Sequence, residues 1–259
     1  MQNRTQKNNI KKAWSGIISL NNLLNGLSIF FLKTKIGSLL IYNLKKSVLF
    51  KFNQAIPVFL SNQLISKQEG KNMTESIFPQ PIETEHLLIR VAEPKDAAML
   101  YQAASESIEA LKPWLLWAKQ GITLEALTEY CQTSYAKYWL NEDVTVFFLL
   151  KTNGEFVGSS GLHHANWQLR QFEIGYWGRV RYSQQGLMKE GVQALSSHAM
   201  QQLRANRVCL RIDDKNTKSW RLAEHAGFKV EGILRCSQLG VENQLCAMRI
   251  YAKTIQDVT

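Results

Sequence analysis

Apolar residues change their spacing repeatedly between residues 144 and 253, and this alternation constrains the fold more than any other feature. Asn153-Gly154 separates two short apolar runs and is the dipeptide typical of tight hairpin turns. The segments that follow one another are a hairpin at 144–162, a strand at 170–180, a helix at 187–203, a strand at Arg207–Asp213, a helix at 216–226, and strands at 229–235 and 244–253. Such an order predicts one α/β domain in which helices flank a mixed, mostly antiparallel sheet.

The preceding segment supplies one more strand and several helices. His86–Ala92 is a short apolar run typical of a strand, and Asp96 is a candidate cap for the helix behind it. Thr123–Leu140 has helical spacing and a capping residue at its start. Between these helices, Trp114 and Trp117 are three residues apart, which predicts that both indoles lie on one helical face and in the core.

Charge divides the chain into two parts at residue 72. Residues 1–72 are rich in Asn and Lys and hold 11 Lys and Arg against one acid, Glu69, whereas residues 73–259 hold 20 basic and 20 acidic residues. The whole net charge of +10 therefore comes from the first 72 residues. The balanced part gives no electrostatic reason to expect nucleic-acid binding, because such binding depends on clustered basic residues.

The basic segment 1–72 admits three interpretations. Its best apolar run, Ile17–Leu32, is shorter than the ~18 residues of a membrane-spanning helix and is interrupted by Asn. The segment is also less rich in Arg than an organellar transit peptide. We expect Met73, where the composition becomes ordinary, to be the true start of the protein, with membrane association and targeting as the alternatives. The intact mass of the natively expressed protein tests this, because residues before Met73 would contradict it.

Neither the cysteines nor the histidines suggest a metal site. The cysteines are Cys131, Cys209, Cys236 and Cys246. Their spacing is unpaired, which favours reduced thiols in a cytoplasmic protein over disulfides or zinc ligands. His163 and His164 are adjacent, but no Cys or carboxylate stands at ligand spacing beside them. We interpret these two histidines as loop residues that could face a substrate.

A glycine precedes the helix at 187–203. Gly186 and Gly191 have the spacing of a Walker loop, but Val192 and Gln193 stand where that loop needs Lys and Ser or Thr. The N–H groups at a helix start are unsatisfied and lie at the positive end of the helix dipole, so they bind anions. Because Gly186 lacks a Cβ, a phosphate group could approach the backbone closely. The sequence thus predicts a diphosphate-binding turn that needs no lysine.

Three stretches occur in a characteristic order: "EIGYW" from Glu173, "QQGLMKEGVQAL" from Gln184 and "ANRVCLRIDDKNTKSWRLAEHAGFKVEGILR" from Ala205. Together they resemble the GNAT superfamily of acetyl-CoA-dependent N-acetyltransferases, and within it the RimJ/RimL type that acetylates N-terminal amines of ribosomal proteins. The resemblance covers Thr84–Lys253 and implies a GNAT domain over 73–259, acetyl-CoA as the acetyl donor, and no metal. Ser183 stands where the family's diphosphate loop has Arg or Gln, which predicts weaker cofactor binding.

The resemblance assigns the acetyl-CoA contacts to two places. The diphosphate would bind backbone N–H groups of Gln184, Gln185, Gly186, Leu187, Met188 and Lys189. The amide-rich pantetheine arm would pair as an extra strand with Phe172–Trp177, where Tyr176 and Trp177 are candidate cofactor contacts. A backbone N–H of the same strand would stabilise the oxyanion that forms on the thioester carbonyl.

Three residues are candidates for the chemistry that the resemblance implies. Asn216 matches the family's Asn at a helix start, where it would bind the pantetheine amide or a water and also cap the helix. Ser219 is similar to a serine near the thiol in this family, and Glu173 is the candidate general base. The tyrosine acid of many members is replaced here by Ala223.

The class of acceptor follows in part from pKa values. Roughly a tenth of a free α-amine is neutral at pH 7, because its pKa is about 7.7–8.0, whereas a lysine amine with a pKa of about 10.4 needs a stronger base. A site with one glutamate and no tyrosine acid therefore suits a protein N-terminus. Acetylation of a small amine (an aminoglycoside, a polyamine or an amino acid) and a non-catalytic CoA-binding module stay open as alternatives.

Overall fold

The computed structural model describes Phe78 and residues 80–257; the predictions for residues 1–72 and for a start at Met73 lie outside them. Its strands are β1 (Ile82–Glu83), β2 (Leu87–Val91), β3 (Val144–Leu150), β4 (Phe156–Asn166), β5 (Gln171–Glu173), β6 (Tyr176–Gly178), β7 (Arg207–Asp213), β8 (Lys229–Leu239) and β9 (Leu245–Thr254). Its α-helices are α1 (Ala97–Leu111), α2 (Leu116–Gln120), α3 (Leu124–Trp139), α4 (Leu187–Gln201) and α5 (Thr217–His225).

The described strands form one open, mixed sheet. Their order is β1-β2-β3-β4-β5-β7-β9-β8, and β6 pairs with β4 beside β5. The β5–β7 pair is parallel and the other pairs are antiparallel. This confirms the predicted α/β fold class. In the same part of the chain, no helix is long and apolar enough to cross a membrane.

The predicted hairpin joins β3 and β4. Gly154 has a φ of 72°, and its N–H donates to the Leu150 carbonyl at 2.8 Å. The connection spans residues 151–155 and a bulge follows it, so Val144 is paired with Leu162. His163 and His164 both lie in β4, which corrects our interpretation of these two histidines as loop residues.

The single strand predicted at 170–180 is two short strands. β5 pairs with the end of β4 through Glu173 and His163, whereas β6 pairs with an earlier part of β4 through Tyr176 and Ser160. Gly175 lies in the break between β5 and β6, and its carbonyl accepts a hydrogen bond from the Ser160 hydroxyl at 2.8 Å. Because of this break, β5 pairs with the end of β4 and with β7, while β6 pairs with an earlier part of β4.

Helices cover both faces of the sheet. Leu195 of α4 and Ala223 of α5 belong to one buried cluster with Phe148, while Leu100 of α1 belongs to a second cluster with Phe147. Because adjacent residues of a strand point to opposite faces, the two clusters lie on opposite sides of β3. The helix pair α4 and α5 therefore faces one side of the sheet, and α1 with α3 faces the other.

The two tryptophans between α1 and α3 differ from the expectation. α1 ends at Leu111 and α2 begins at Leu116, so Trp114 lies in the turn between two helices and is 38% exposed. Trp117 packs on Trp177 with ring centroids 5.7 Å apart. Trp117 is only half-buried, so the prediction that both indoles share one helical face in the core is wrong.

Candidate active site

The sheet opens in its middle, where β5 ends. β5 runs beside β7 from the pair Gln171–Arg207 to the pair Glu173–Cys209, and the Ile174 N–H donates to the Cys209 carbonyl at 2.8 Å. Beyond this point β6 follows β4 and the rest of β7 follows β9. The main chains of β6 and of the second half of β7 therefore diverge and leave a gap between them.

Tyr176 connects β6 to the start of α5. Its hydroxyl donates to the Ser219 carbonyl at 2.7 Å, and the Ser219 hydroxyl donates to the Tyr176 oxygen at 3.3 Å. Burial raises the pKa of Tyr176 well above its ordinary value. The phenol therefore stays protonated at neutral pH and acts as a hydrogen-bond donor. The structure thus brings together two of the residues that the sequence analysis singled out.

Asn216 caps α5, as the sequence predicts. Its side-chain oxygen accepts a hydrogen bond from the Ser219 N–H at 3.2 Å. The amide nitrogen of Asn216 plays no part in this cap. Ala223, which replaces the tyrosine acid of many relatives, is fully buried in the core. The first turn of α5 therefore presents Asn216 and Ser219, whereas Ala223 in the next turn packs in the core.

The backbone before α4 has the conformation that a glycine favours. Gly186 has a φ of 80° and Gln184 a φ of 64°. A Cβ at Gly186 would meet no atom within 4 Å, so the space in front of the helix is open. Gln185 and Lys189 are exposed on either side. A 15-residue helix with an open first turn supplies unsatisfied N–H groups, which are suited to binding an anion such as the predicted diphosphate.

Two residues of this turn use their side chains for packing. Leu187 is buried, and Met188 lies over Gly158 and Gly178. A Cβ would come within 2.3 Å of the Met188 sulfur at Gly158, and within 2.8 Å of Met188 Cγ at Gly178. Leu187 and Met188 are therefore restricted to main-chain contacts with a ligand. Trp177 is likewise restricted to main-chain contacts with a ligand, because its ring packs on Phe156 and Trp117.

Ion pairs fix the segment between β6 and α4 to α1. Arg179 is buried and donates to Glu106 through Nε at 2.8 Å, and Arg181 donates to the same carboxylate at 3.2 Å. Burial opposes ionisation of Glu106, but the two arginines outweigh it and lower its pKa. The Val180 N–H donates to the Ser107 hydroxyl at 3.0 Å. The loop before the diphosphate turn is therefore held on a regular helix.

Glu190 fixes the other side of α4 to the sheet. Its carboxylate accepts hydrogen bonds from the His86 backbone N–H at 2.8 Å and pairs with the His86 ring at 2.9 Å. Beside this contact lies an open groove of about 460 Å³. Its lining residues are His86, Leu150, Gln185, Gly186, Lys189 and Gln193. The groove continues the open space in front of Gly186.

Glu173 lies on the opposite side of the sheet from α4 and α5. It neighbours buried Phe172, which faces those helices, so its own side chain points to the other face. Glu173 is half-buried and is the strand partner of His163 and of Cys209. Burial and, to a smaller extent, the Glu173 charge raise the pKa of the Cys209 thiol. The candidate base is thus placed on the face away from the diphosphate turn.

His163 and Asp143 form a pair that the sequence analysis did not find. The Nδ1 atom of His163 lies 2.7 Å from a carboxylate oxygen of Asp143. The hairpin register brings them together, because Asp143 precedes Val144 and His163 follows Leu162, whereas a two-residue turn at Asn153-Gly154 would give a different register. Among the described residues, no group of three or more His, Cys, Asp or Glu is arranged to hold a metal ion.

Comparison with known proteins agrees with this geometry. The model of the acetyltransferase (GNAT) domain family matches residues 86–229. A Bacillus subtilis (strain 168) protein named "Putative ribosomal N-acetyltransferase YdaF" is 28% identical over 151 residues, which are 58% of this chain and 82% of that protein.

Solved structures share the fold. A structure of RimL, described as a ribosomal L7/L12 alpha-N-protein acetyltransferase in complex with coenzyme A, has a TM-score of 0.64 at 19% identity and covers 69% of this chain and 99% of its own. The structure of the microcin C7 self immunity acetyltransferase MccE, in complex with acetyl-CoA and AMP, also has a TM-score of 0.64, at 18% identity. The match covers 70% of this chain and 99% of the MccE chain. Since the family model spans more than half of the sequence, the chain belongs to the GNAT acetyltransferase family.

Proposed function

We propose that this protein is a cytoplasmic enzyme that transfers the acetyl group of acetyl-CoA to the α-amine at the N-terminus of a protein. The observation that carries the proposal is the gap between β6 and β7, flanked by the Tyr176–Ser219 contact and by the open first turn of α4. The gap exposes strand main-chain groups in the interior of a sheet, where a thioester with an amide-rich arm could bind.

The acetyl-CoA contacts follow from this arrangement. The diphosphate would accept hydrogen bonds from backbone N–H groups of residues 184–189, in the open space before Gly186. The pantetheine arm would pair with the main chain of β6, beside the main chain of Trp177. Asn216 would bind an amide of this arm through its side-chain nitrogen, because its cap of α5 uses only the side-chain oxygen. These contacts orient the thioester in the gap.

The departing thiol would lie near the Tyr176–Ser219 contact. Both hydroxyls carry protons, so either can stabilise the sulfur as negative charge develops on it. The proton of the amine would be removed on the opposite face of the sheet, where Glu173, the candidate base from the sequence, lies beside its strand partner His163. The acceptor would therefore approach from the side of α1 and α3, while the cofactor extends towards α4.

The choice of a protein N-terminus as acceptor is supported by the names of the relatives, which include a ribosomal N-acetyltransferase and RimL. It also agrees with the low demand that an α-amine makes on a general base. The acetyltransferase MccE shares the fold equally well, so a small amine is the competing class of acceptor.

Release of free thiol from acetyl-CoA distinguishes these acceptors. The three acceptors are a peptide starting with Ser or Ala, the same peptide with a blocked N-terminus and an internal Lys, and a small polyamine. Turnover only with the free N-terminus is the expected result. Turnover only with the polyamine would show that the acceptor is a small amine and not a protein N-terminus. CoA binding without any turnover would indicate a non-catalytic module.

A further inference from the structure

We propose that His163, oriented by Asp143, accepts the proton of the acceptor amine during acetyl transfer. The proposal rests on the proposed function for the reaction, but it holds for any amine that the enzyme accepts. It assigns a role to a pair of side chains outside the diphosphate turn and the first turn of α5.

Asp143 fixes which nitrogen of the imidazole carries a proton. Its carboxylate lies 2.7 Å from Nδ1 of His163, and both side chains are less than a third exposed. A carboxylate in this position favours the tautomer with hydrogen on Nδ1, because only that nitrogen can then donate to it. The lone pair of Nε2 is left to accept a proton. This is the arrangement by which a carboxylate orients a histidine base.

The imidazole is directed towards the opening of the sheet. A Cβ at Gly161 would lie 2.6 Å from Nε2 of His163, so the ring lies closely across this glycine. A Cβ at Gly175 would lie 3.9 Å from the same nitrogen. Gly175 is the exposed residue at which β5 ends and the sheet opens. Nε2 therefore faces the point where the thioester is proposed to bind.

Several charged and titratable groups surround His163. Asp143 contacts the ring, and Tyr130 of α3 interacts electrostatically with Asp143. Glu173 on β5 is the strand partner of His163, and Cys209 on β7 is the next residue across the sheet. Cys209 in turn interacts with Arg207. The Asp143 carboxylate is therefore the charged group in direct contact with the ring, and it is placed to orient the imidazole.

The proton transfers balance in two steps. The ammonium form of the acceptor gives one proton to Nε2 of His163, and its nitrogen lone pair then attacks the thioester carbonyl carbon. The C–N bond forms, the C–S bond breaks, and the nitrogen passes its remaining surplus proton to the departing sulfur. The products are the amide and the free thiol, and the imidazolium returns its proton to water.

The first test compares His163→Gln with His164→Gln at saturating acetyl-CoA. Without a base, only the neutral fraction of the amine reacts, so we expect the turnover of His163→Gln on an α-amine to fall about tenfold at pH 7 and further at pH 6. The loss should shrink to within about twofold at pH 9, where the amine is neutral without help. His164 is exposed and lies at the irregular end of β4, where its φ is 49°, and its variant should behave as the wild type.

Several outcomes would overturn the proposal. A His163→Gln defect that is equal at pH 6 and pH 9, or is absent, removes this histidine from proton transfer. The same pH-dependent loss in Glu173→Gln, with His163→Gln unaffected, assigns the base to Glu173. The comparison uses whichever of the three acceptors turns over, so a wrong class of acceptor leaves the test intact.

A second measurement needs no acceptor. In 15N-labelled protein, the His163 ring is identified by its absence from the spectrum of His163→Gln. We expect its neutral form to carry the proton on Nδ1, and a proton on Nε2 would overturn the proposal. Asp143 is a positioning residue, so Asp143→Asn should mix the two tautomers and lower turnover while leaving the affinity for acetyl-CoA within about twofold. An unchanged tautomer would contradict its role.

Discussion

Burial and backbone conformation decide what several residues of the candidate site can contribute to ligand binding. Tyr176 is a candidate contact in the sequence, and its burial makes it a permanent donor to Ser219. Met188 and Trp177 look like ligand contacts in the sequence, but their side chains fill the spaces over two glycines and beside Phe156. The diphosphate turn therefore depends on backbone groups, and the conformation of Gly186 is its most sensitive feature.

We expect Gly186→Ala to lose about 1 kcal/mol of unfolding free energy, because its left-handed φ of 80° strains any residue with a Cβ. The same Cβ would enter the space proposed for the diphosphate, so the affinity for acetyl-CoA should fall at least about tenfold. Urea unfolding and calorimetric titration measure the two effects separately.

Gly154→Ala is the matched control for this variant. Gly154 has a φ of 72°, and a Cβ there also meets no atom within 4 Å, but it lies in the β3–β4 hairpin. We expect a similar loss of stability with unchanged affinity. Equal affinity in both variants would argue against diphosphate binding at Gly186.

At the scale of elements, the position of α4 depends on the segment that precedes it. Buried Arg179 ties this segment to Glu106 of α1, and Glu190 of α4 binds the start of β2 through His86. α4 is thus connected to both the helix layer and the sheet. Apart from Glu190, the residues of these contacts lie outside the family stretches quoted above, yet they position the turn that those stretches identify.

Glu106→Gln should destabilise the protein by about 3 kcal/mol at pH 7, because it leaves the guanidinium of buried Arg179 without its carboxylate. The pKa of Glu106 is lower in the folded protein than the unfolded value of about 4.3. The ion pair therefore stabilises the fold fully above the unfolded pKa, and this stabilisation is lost as the pH falls through the folded pKa. The difference in unfolding free energy between variant and wild type should be complete at pH 7 and shrink below about pH 4.

Glu109→Gln tests whether this effect is specific. Glu109 lies on the same helix, is 80% exposed and pairs with Lys112 at 2.6 Å. An exposed pair of this kind contributes less than about 1 kcal/mol. Denaturation of both variants at pH 7 and pH 4 gives the comparison, and equal losses would refute the buried anchor.

In the part of the chain that the structure describes, the sheet consists of two parts that meet along a short seam. β4 pairs with β5 at two positions, His163–Glu173 and Asn166–Gln171, and β5 pairs with β7 over three. Beyond this seam β6 and β7 diverge. A ligand that pairs within the gap would connect the parts, because it would contact the main chain of β6 on one side and reach α5, which follows β7, on the other.

Saturation with acetyl-CoA at about a hundred times its Kd should stabilise the fold by about 2.7 kcal/mol, which raises the Tm by roughly 5–10 °C. Hydrogen exchange should slow in β6 and in the first turns of α4 and α5, and remain unchanged in β1 and β2. AMP serves as the control, since it lacks the pantetheine arm. Protection confined to α4 would contradict binding within the gap.

The sequence by itself determined the kinds and order of the elements. Arg207–Asp213 was predicted as a strand with the bounds that the structure has, and Thr123 caps its helix as expected. Gly186 was identified from its place before a helix. These features depend on residues close together in the chain, where spacing, caps and glycines act locally. The break at Gly175 was missed, because it depends on which neighbour each strand follows.

Only the tertiary structure decided which side chains meet. A two-residue turn at Asn153-Gly154 would pair Val144 with His163 and bring Asp143 beside His164. The longer loop and the bulge in the hairpin shift the register by one residue, so that Asp143 meets His163 instead. Because side chains alternate between the two faces of a strand, a shift of one residue exchanges the faces of every side chain. Packing of the whole sheet sets that register, and no local signal in the sequence contains it.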